Sequence, residues 1–218
     1  SLSSEHPGEP IYYTINGNQP NKHSTVFKKD ISIKKTTIIK ASILKSDGTF
    51  GPISEKTFYF HKAIGKTVVY NSKFASKYSG AGKKNLIDGL VGSENHNDGY
   101  WQGWEKNNME VIIDLHENKK INTIVCGFLE SHQSWIFLPK SVNISFSSDG
   151  KSFTNRKKIV LKDGENYSRS NRKEVQFNQL NESARFVLIT AFNRKKCPSW
   201  HAGNGGDAWI FSDEIVIE

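Results

Sequence analysis

Val142-Asn143-Ile144-Ser145-Phe146-Ser147-Ser148-Asp149-Gly150-Lys151-Ser152-Phe153 decides the fold class. Over 142–146 apolar and polar residues alternate, the period-two pattern of a strand with one face in a core. Asp149-Gly150 then supplies the positive φ that a tight connection needs. The same pattern repeats along the chain. Runs such as Ile11-Tyr12-Tyr13-Thr14, Thr37-Ile38-Ile39-Lys40-Ala41, Val111-Ile112-Ile113-Asp114-Leu115 and Phe186-Val187-Leu188-Ile189 stand between turn signals at Asn16-Gly17, Asp47-Gly48 and Asp163-Gly164. No segment carries a convincing helical period, so the chain is expected to be all-β, built as sandwiches.

The 218 residues, 36% of them hydrophobic, suffice for one or two cores. A boundary is expected near His61 to Lys66. It separates a small module, residues 1–62, from a larger one, residues 63–218. About four strands fit in the first module, fewer than the roughly seven of a complete immunoglobulin-like sandwich, so it reads as truncated at its N-terminus. No apolar run approaches the ~20 residues of a membrane-spanning helix. The first residues lack the charged head and apolar stretch of a secretion signal, which would then lie upstream.

The net charge of +8 raises nucleic acid as a partner. The excess is divided evenly, +4 in each module, and runs such as Lys28-Lys29 and Arg194-Lys195-Lys196 are not interleaved with aromatics. They read as solvated surface, and no nucleic-acid partner is expected. Cys126, inside Ile124-Val125-Cys126-Gly127-Phe128, reads as a small buried hydrophobe, whereas Cys197 precedes Pro198 in a loop. Neither has metal-ligand spacing, and a disulfide between them stays open.

Two stretches resemble known families. Ile11-Tyr12-Tyr13-Thr14-Ile15-Asn16-Gly17-Asn18-Gln19-Pro20, with Ile31-Ser32-Ile33 and 37–41, resembles the small immunoglobulin-like domain that follows the catalytic barrel of bacterial chitobiases and family 20 β-N-acetylhexosaminidases. Ile15-Asn16 departs from that family's Tyr-Thr-Asp-Gly hairpin but keeps the turn, since Asn tolerates the left-handed region. Five further segments are similar to the discoidin domain, the coagulation factor V/VIII C-type fold shared with family 32 carbohydrate-binding modules. They are Asn85-Leu86-Ile87-Asp88-Gly89, Trp101-Gln102-Gly103-Trp104, 111–115, 146–153 and Trp209-Ile210-Phe211-Ser212-Asp213-Glu214-Ile215. The resemblance implies a discoidin-type jelly roll, galactose-binding-domain-like, after the immunoglobulin-like module.

It also implies a structural calcium ion on Asp88 and Glu214, positions that are side-chain ligands in the discoidin family, with Asn85 and Ser93 as further oxygen donors. Calcium takes about six to eight oxygens. The alternative is that Asp88 only caps a turn.

Glycoside hydrolysis needs two carboxylates across a cleft. Asp213-Glu214 sits on a strand, where neighbours point to opposite faces, and the 7 His fall in no ligand or triad spacing. The chain is therefore expected not to be an enzyme itself. Sugar binding asks for an exposed aromatic plate beside polar groups, and three loops offer it: 101–105, 130–135 and 198–207. Trp101 and Trp209, flanked by apolar residues, are expected in the core. The candidate sugar-binding residues are Trp104, Gln133, Trp135, Trp200, His201 and Asn204. The glycines at 203, 205 and 206 read as letting the backbone approach a ligand.

These readings converge on a non-catalytic fragment of a secreted, periplasmic or cell-surface hexosaminidase. It would bind glycans carrying N-acetylhexosamine or galactose and target the catalytic barrel of the parent enzyme in cis. Two other functions stay open, a purely structural pair of modules packed on that barrel and a lipid-binding discoidin domain.

Overall fold

The computed structural model describes residues 1–6, 8–162 and 169–218, so the turn expected at Asp163-Gly164 lies outside the described residues. The chain divides into two compact units, Ser1–Phe60 and His61–Glu218.

In the first unit β1 (Ile11–Thr14), β2 (Thr25–Val26), β3 (Thr37–Ile43) and β4 (Ser54–Phe58) form one antiparallel sheet, ordered β2-β1-β3-β4. β3 shows the alternation that makes it a strand, since Thr37, Ile39 and Ala41 are buried and Ile38 is exposed. The turn before Thr49 forms as read, with Gly48 at φ 82° and Asp47 Oδ1 accepting from the Thr49 N–H at 2.8 Å.

The second unit contains β5 (Thr67–Tyr70), β6 (Gln102–Glu105), β7 (Met109–Ile121), β8 (Ile124–Glu130), β9 (Ser141–Ser147), β10 (Thr154–Val160), β11 (Asn171–Phe177), β12 (Glu182–Phe192) and β13 (Trp209–Ile217). A five-stranded sheet runs β10-β9-β12-β7-β5 and a four-stranded sheet runs β11-β8-β13-β6, all neighbours antiparallel. Every second residue of the long strands enters one core. Val111, Ile113 and Leu115 of β7, Val142, Ile144 and Phe146 of β9 and Val187, Ile189 and Ala191 of β12 meet Phe128, Ile215 and Ile217 there. Cys126 lies in that core as expected, and burial pushes its thiol up to about 12. Cys197 is also buried, and both cysteines are free.

Three pairings break the alternation, the first being β12 against β7 between Ala184 and Phe186, where β7 loops out around His116 at φ 68°. Edge strand β10 slips by one residue against β9 between Thr154 and Lys157, where Asn155 adopts φ 53°. Beyond the slip Lys157 stands opposite core-facing Ile144. β13 likewise carries one extra residue against β8 between Ser212 and Ile215. This corrects the expectation that Asp213 and Glu214 point to opposite faces. The bulge turns both toward the segment 89–92: Gly92 N–H donates to Asp213 Oδ2 at 2.9 Å, and Gly89 N–H donates to Glu214 Oε2 at 2.7 Å.

Short 3₁₀ turns at Ser76–Tyr78, Gly82–Ile87 and His132–Ser134 occupy connections where only loops were expected. The second places Asn85 so that its amide donates to the carbonyls of Tyr100 and Asp213 and accepts from Ala81 N–H.

Trp101 is buried as expected, its ring lying against Gly92, where a Cβ would fall 2.3 Å from the indole. Trp104 is a correction. The Gly/Asn-rich segment before it ends at Tyr100, so Trp104 already lies within β6, opposite Ile210. It is fully buried, edge-on to Phe74 at 6.2 Å, with Nε1 donating to the Ser72 carbonyl. Trp104→Ala is expected to destabilise the protein by about 3–5 kcal/mol, a shift that chemical denaturation will measure directly.

Candidate functional site

Two connections at one end of the second unit, residues 131–140 between β8 and β9 and 193–208 between β12 and β13, carry the remaining candidates. Bridges pin the first connection to itself and to β13, Ser131 pairing with Ile136 and Ile136 with Trp209. Asn193 holds the second. Its amide donates to the carbonyls of Trp104 and Ala208, and its backbone N–H donates to Asn108 Oδ1. Further along, Asp207 accepts from Lys196 at 2.7 Å and from Lys106 at 3.0 Å.

Trp135 and Trp200 are the large aromatics these connections expose, at 41% and 40%. Trp135 adopts a left-handed backbone, φ 63°, unusual for so bulky a residue. The conformation is held by its N–H donating to the His132 carbonyl and its carbonyl accepting from Trp209 N–H. Its indole lies on backbone. A Cβ at Gly203 would fall 2.6 Å from the ring and one at Gly206 2.4 Å. Gly203 and Gly206 therefore make the seat of Trp135, a correction to their reading as a free ligand approach, whereas Gly205, at φ 77°, faces open space.

His201 sits between the two indoles, edge-on to Trp135 at 6.2 Å and to Trp200 at 5.9 Å. It is 7% exposed, and both its nitrogens are used. Nε2 lies 2.7 Å from the His132 carbonyl, so it carries the proton and donates it, while Nδ1 accepts from Gly203 N–H at 2.9 Å. His201 was expected to read sugar hydroxyls. It serves instead as a strut that spaces the tryptophans. Gln133 and Asn204 are exposed on the same two connections.

Beneath this platform lies a layer the sequence did not single out. His132 stacks on Phe137 at 4.9 Å and faces Trp200 at 5.0 Å, and the Arg194 guanidinium covers Phe137 at 4.8 Å. Buried Glu130 approaches His132 Nε2 at 3.1 Å. Burial keeps His132 below the usual imidazole range, with His201 and Arg194 adding to that and Glu130 opposing it. Arg194 was grouped with its lysine neighbours as solvated surface. The apolar residue that could have flagged it, Phe137, lies 57 positions away in the chain.

The calcium candidates separate into two pairs. Asp88 and Glu214 meet, for one N–H, that of Leu90, donates to both, to Asp88 Oδ1 at 2.9 Å and to Glu214 Oε2 at 3.1 Å. Burial, then the Asp88 charge, push Glu214 up to about 9. His61 approaches Glu214 Oε1 at 2.9 Å. Burial holds His61 down to about 4, so this contact is a hydrogen bond from a neutral imidazole rather than an ion pair. Two carboxylates crowded round one donor suit a hard cation. Asn85 is occupied by the backbone bonds described above. Ser93 lies on the exposed 93–98 loop, its hydroxyl accepting from Asn95 N–H and its carbonyl from Trp101 Nε1. Among the described residues no three His, Cys, Asp or Glu side chains cluster as a metal site.

Residues 68–210 match the model of the F5/8 type C domain family. The chain belongs to that family. Residues 1–55 match the chitobiase/β-hexosaminidase C-terminal domain. No curated protein matches the chain. Solved structures similar to it include a fucose-binding module of Streptococcus pneumoniae, 12% identical over 72% of this chain and 94% of that one, TM-score 0.47. A Clostridium perfringens protein solved with GlcNAc-α-1,4-galactose is 15% identical over 73% and 94%, TM-score 0.45. A chitosan-binding module of a Paenibacillus chitosanase/glucanase is 14% identical over 73% and 99%, TM-score 0.44.

Within this F5/8 type C domain the strut and the seat can be tested apart from any ligand. His201→Ala leaves the His132 carbonyl and Gly203 N–H without a partner and is expected to lower stability by about 1–3 kcal/mol. Gly206→Ala is expected to dislodge the Trp135 ring, read as a change in tryptophan emission while the melting temperature moves less.

Proposed function

We propose that this chain is a non-catalytic glycan-binding module. Its platform is formed by Trp135 and Trp200, with Gln133 and Asn204 reaching for hydroxyls at the rim. The observation that carries this reading is the pair of half-exposed indoles held at fixed spacing by buried His201. An indole face matches the C–H face of a pyranose, and a rigid seat lowers the entropy cost of binding. Asp213 and Glu214, the carboxylate pair closest to a hydrolase arrangement, are buried and committed to loop N–H groups, Arg172 and His61, which supports a role without chemistry.

The match of residues 1–55 to the chitobiase/β-hexosaminidase C-terminal domain supports placement beside a hexosaminidase barrel in a secreted, periplasmic or surface-displayed protein. Glycans bearing N-acetylhexosamine or galactose are then the ligands. The module would raise local substrate concentration through weak binding, about millimolar or ~4 kcal/mol. A lipid-inserting role would ask for protruding apolar tips ringed by available cations. Here the indoles lie back on His201 and glycine backbone, and Lys196 is tied to Asp207. Among the described residues no helix is long and apolar enough to cross a membrane.

Calorimetric titration with N-acetylglucosamine, galactose and N-acetylgalactosamine tests the platform. Trp200→Ala is expected to weaken binding about tenfold or more, roughly 1.4 kcal/mol, at little cost in stability. Unchanged affinity in both Trp200→Ala and Trp135→Ala would refute it.

We also propose calcium at Asp88 and Glu214 as a structural ion tying residues 88–90 to β13. An ion bound only by the folded state raises stability by mass action. Added Ca²⁺ is expected to raise the melting temperature and chelator to lower it, with the difference lost in Asp88→Asn.

A further inference from the structure

The outer face of a sandwich sheet is ordinarily solvated, yet that of the five-stranded sheet holds a walled trough. Cross-strand register places Glu110 of β7 opposite Thr190 of β12, and Thr190 opposite Asn143 of β9. Their sequence neighbours Val111, Ile189 and Ile144 fill the core, so these three polar side chains point outward. Asn143 is nonetheless only 5% exposed and Thr190 9%. The bulge at Thr154–Lys157 explains the cover, because it re-aims the edge strand. With the Asn143 amide oriented as its hydrogen bonding requires, the Arg156 guanidinium donates to the Asn143 side-chain oxygen. Phe153, half-buried, forms part of the same wall.

Two concavities follow one another along this face. One, of about 360 Å³, is lined by Asn143, Arg156, Phe153 and Thr190. The next, of about 380 Å³, is lined by Asn71 and Lys73, and both share Asn108 and Glu110. The polar groups are already ordered, Glu110 accepting from Asn71 Nδ2 at 3.0 Å and Asn108 Oδ1 from Asn193 N–H.

We propose that this trough is a second ligand site, and that it takes a neutral oligosaccharide lying across the strands. Arg156 and Lys73 lie one in each concavity with Glu110 between them, and Lys158 stands opposite Asn143, so a mild positive excess is spread among amides and hydroxyls rather than gathered into the cluster of cations that would select a polyanion. A guanidinium, a carboxylate and several amides offer donors and acceptors in the mixture that sugar hydroxyls use, and Phe153 supplies an apolar flank for a C–H face. Two concavities in series suit a chain of linked sugars over a single ring. The site uses none of the platform residues and stands or falls without Trp135 and Trp200.

An amide NMR titration of the whole chain with N-acetylchitotetraose and with a neutral N-acetyllactosamine oligomer tests it. The signals of Asn108, Asn143 and Ser145 are expected to shift with at least one of these probes, and to keep shifting in Trp200→Ala. Phe153→Ala or Arg156→Ala, both at the rim, should weaken that response about tenfold and leave the platform's response unchanged. Ser145→Tyr, which fills the floor, should abolish it, with an unaltered fold read from the remaining amide signals. No shift at these residues with either probe overturns the proposal, as does a shift indifferent to Phe153→Ala, Arg156→Ala and Ser145→Tyr together. A response only to a sulphated heparin fragment overturns the neutral assignment. A trough that responds while the platform is silent leaves this site standing and removes the platform reading, and the converse pattern does the reverse.

Discussion

Strand β13 carries one residue more than its partner β8 between Ser212 and Ile215, and that surplus residue sends two adjacent carboxylates the same way. Asp213 is fully buried. It is met by Arg172 Nε at 2.6 Å and by the N–H groups of Gly92 and Glu214. Glu214, equally buried, takes the N–H groups of Gly89 and Leu90. The long connection between β5 and β6 has little regular structure of its own, and these bonds fix it to the sheet. Gly127 explains why the ion pair can form, since a Cβ there would fall 1.9 Å from an Asp213 oxygen. Removing one member of such a buried pair typically costs about 3–5 kcal/mol, because the other charge is left without compensation. The meeting of Asp88 with Glu214 and the burial of Trp101 against Gly92 both depend on this attachment.

At the platform, stiffness arises differently. Trp135 holds a backbone conformation that costs of order 1–3 kcal/mol for a residue of its kind, and the surrounding contacts must over-determine it. They do so through two backbone hydrogen bonds and two glycines whose missing side chains leave the indole a flat bed. His201 then fixes the distance to Trp200. A surface whose exposed aromatics are braced from below meets a ligand with less left to order, which matters where each contact is weak.

The sequence was most informative where one residue type has one physical use. Alternation over 142–146 and the Asp-Gly turns specified the sandwich strands, and the apolar flanks of Trp101 marked it as core. Asn85-Leu86-Ile87-Asp88-Gly89 located the loop that meets Glu214. What stayed hidden depends on register. A one-residue bulge is invisible in a run such as Ser212-Asp213-Glu214-Ile215, and it reverses the faces that strict alternation assigns. Trp104 was misplaced by three residues of strand whose start a glycine-rich segment blurs. His201 looked like a ligand reader because its partners, the His132 carbonyl and Gly203 N–H, come from backbone that has no signature in the sequence. Arg194 and Phe137 are neighbours only through the fold.

Lys157 has a consequence for how many copies of this protein can share a surface. Among the described residues strand β10 ends its sheet, and an edge of this kind is a ready template for a second molecule's strand. The slip at Thr154–Lys157 twists that border, and the charge opposite Ile144 would be trapped between sheets if another chain docked there. With exposed Arg156 and Lys158 on either side of it, the displaced lysine gives this border a charge that works against strand-to-strand association of copies.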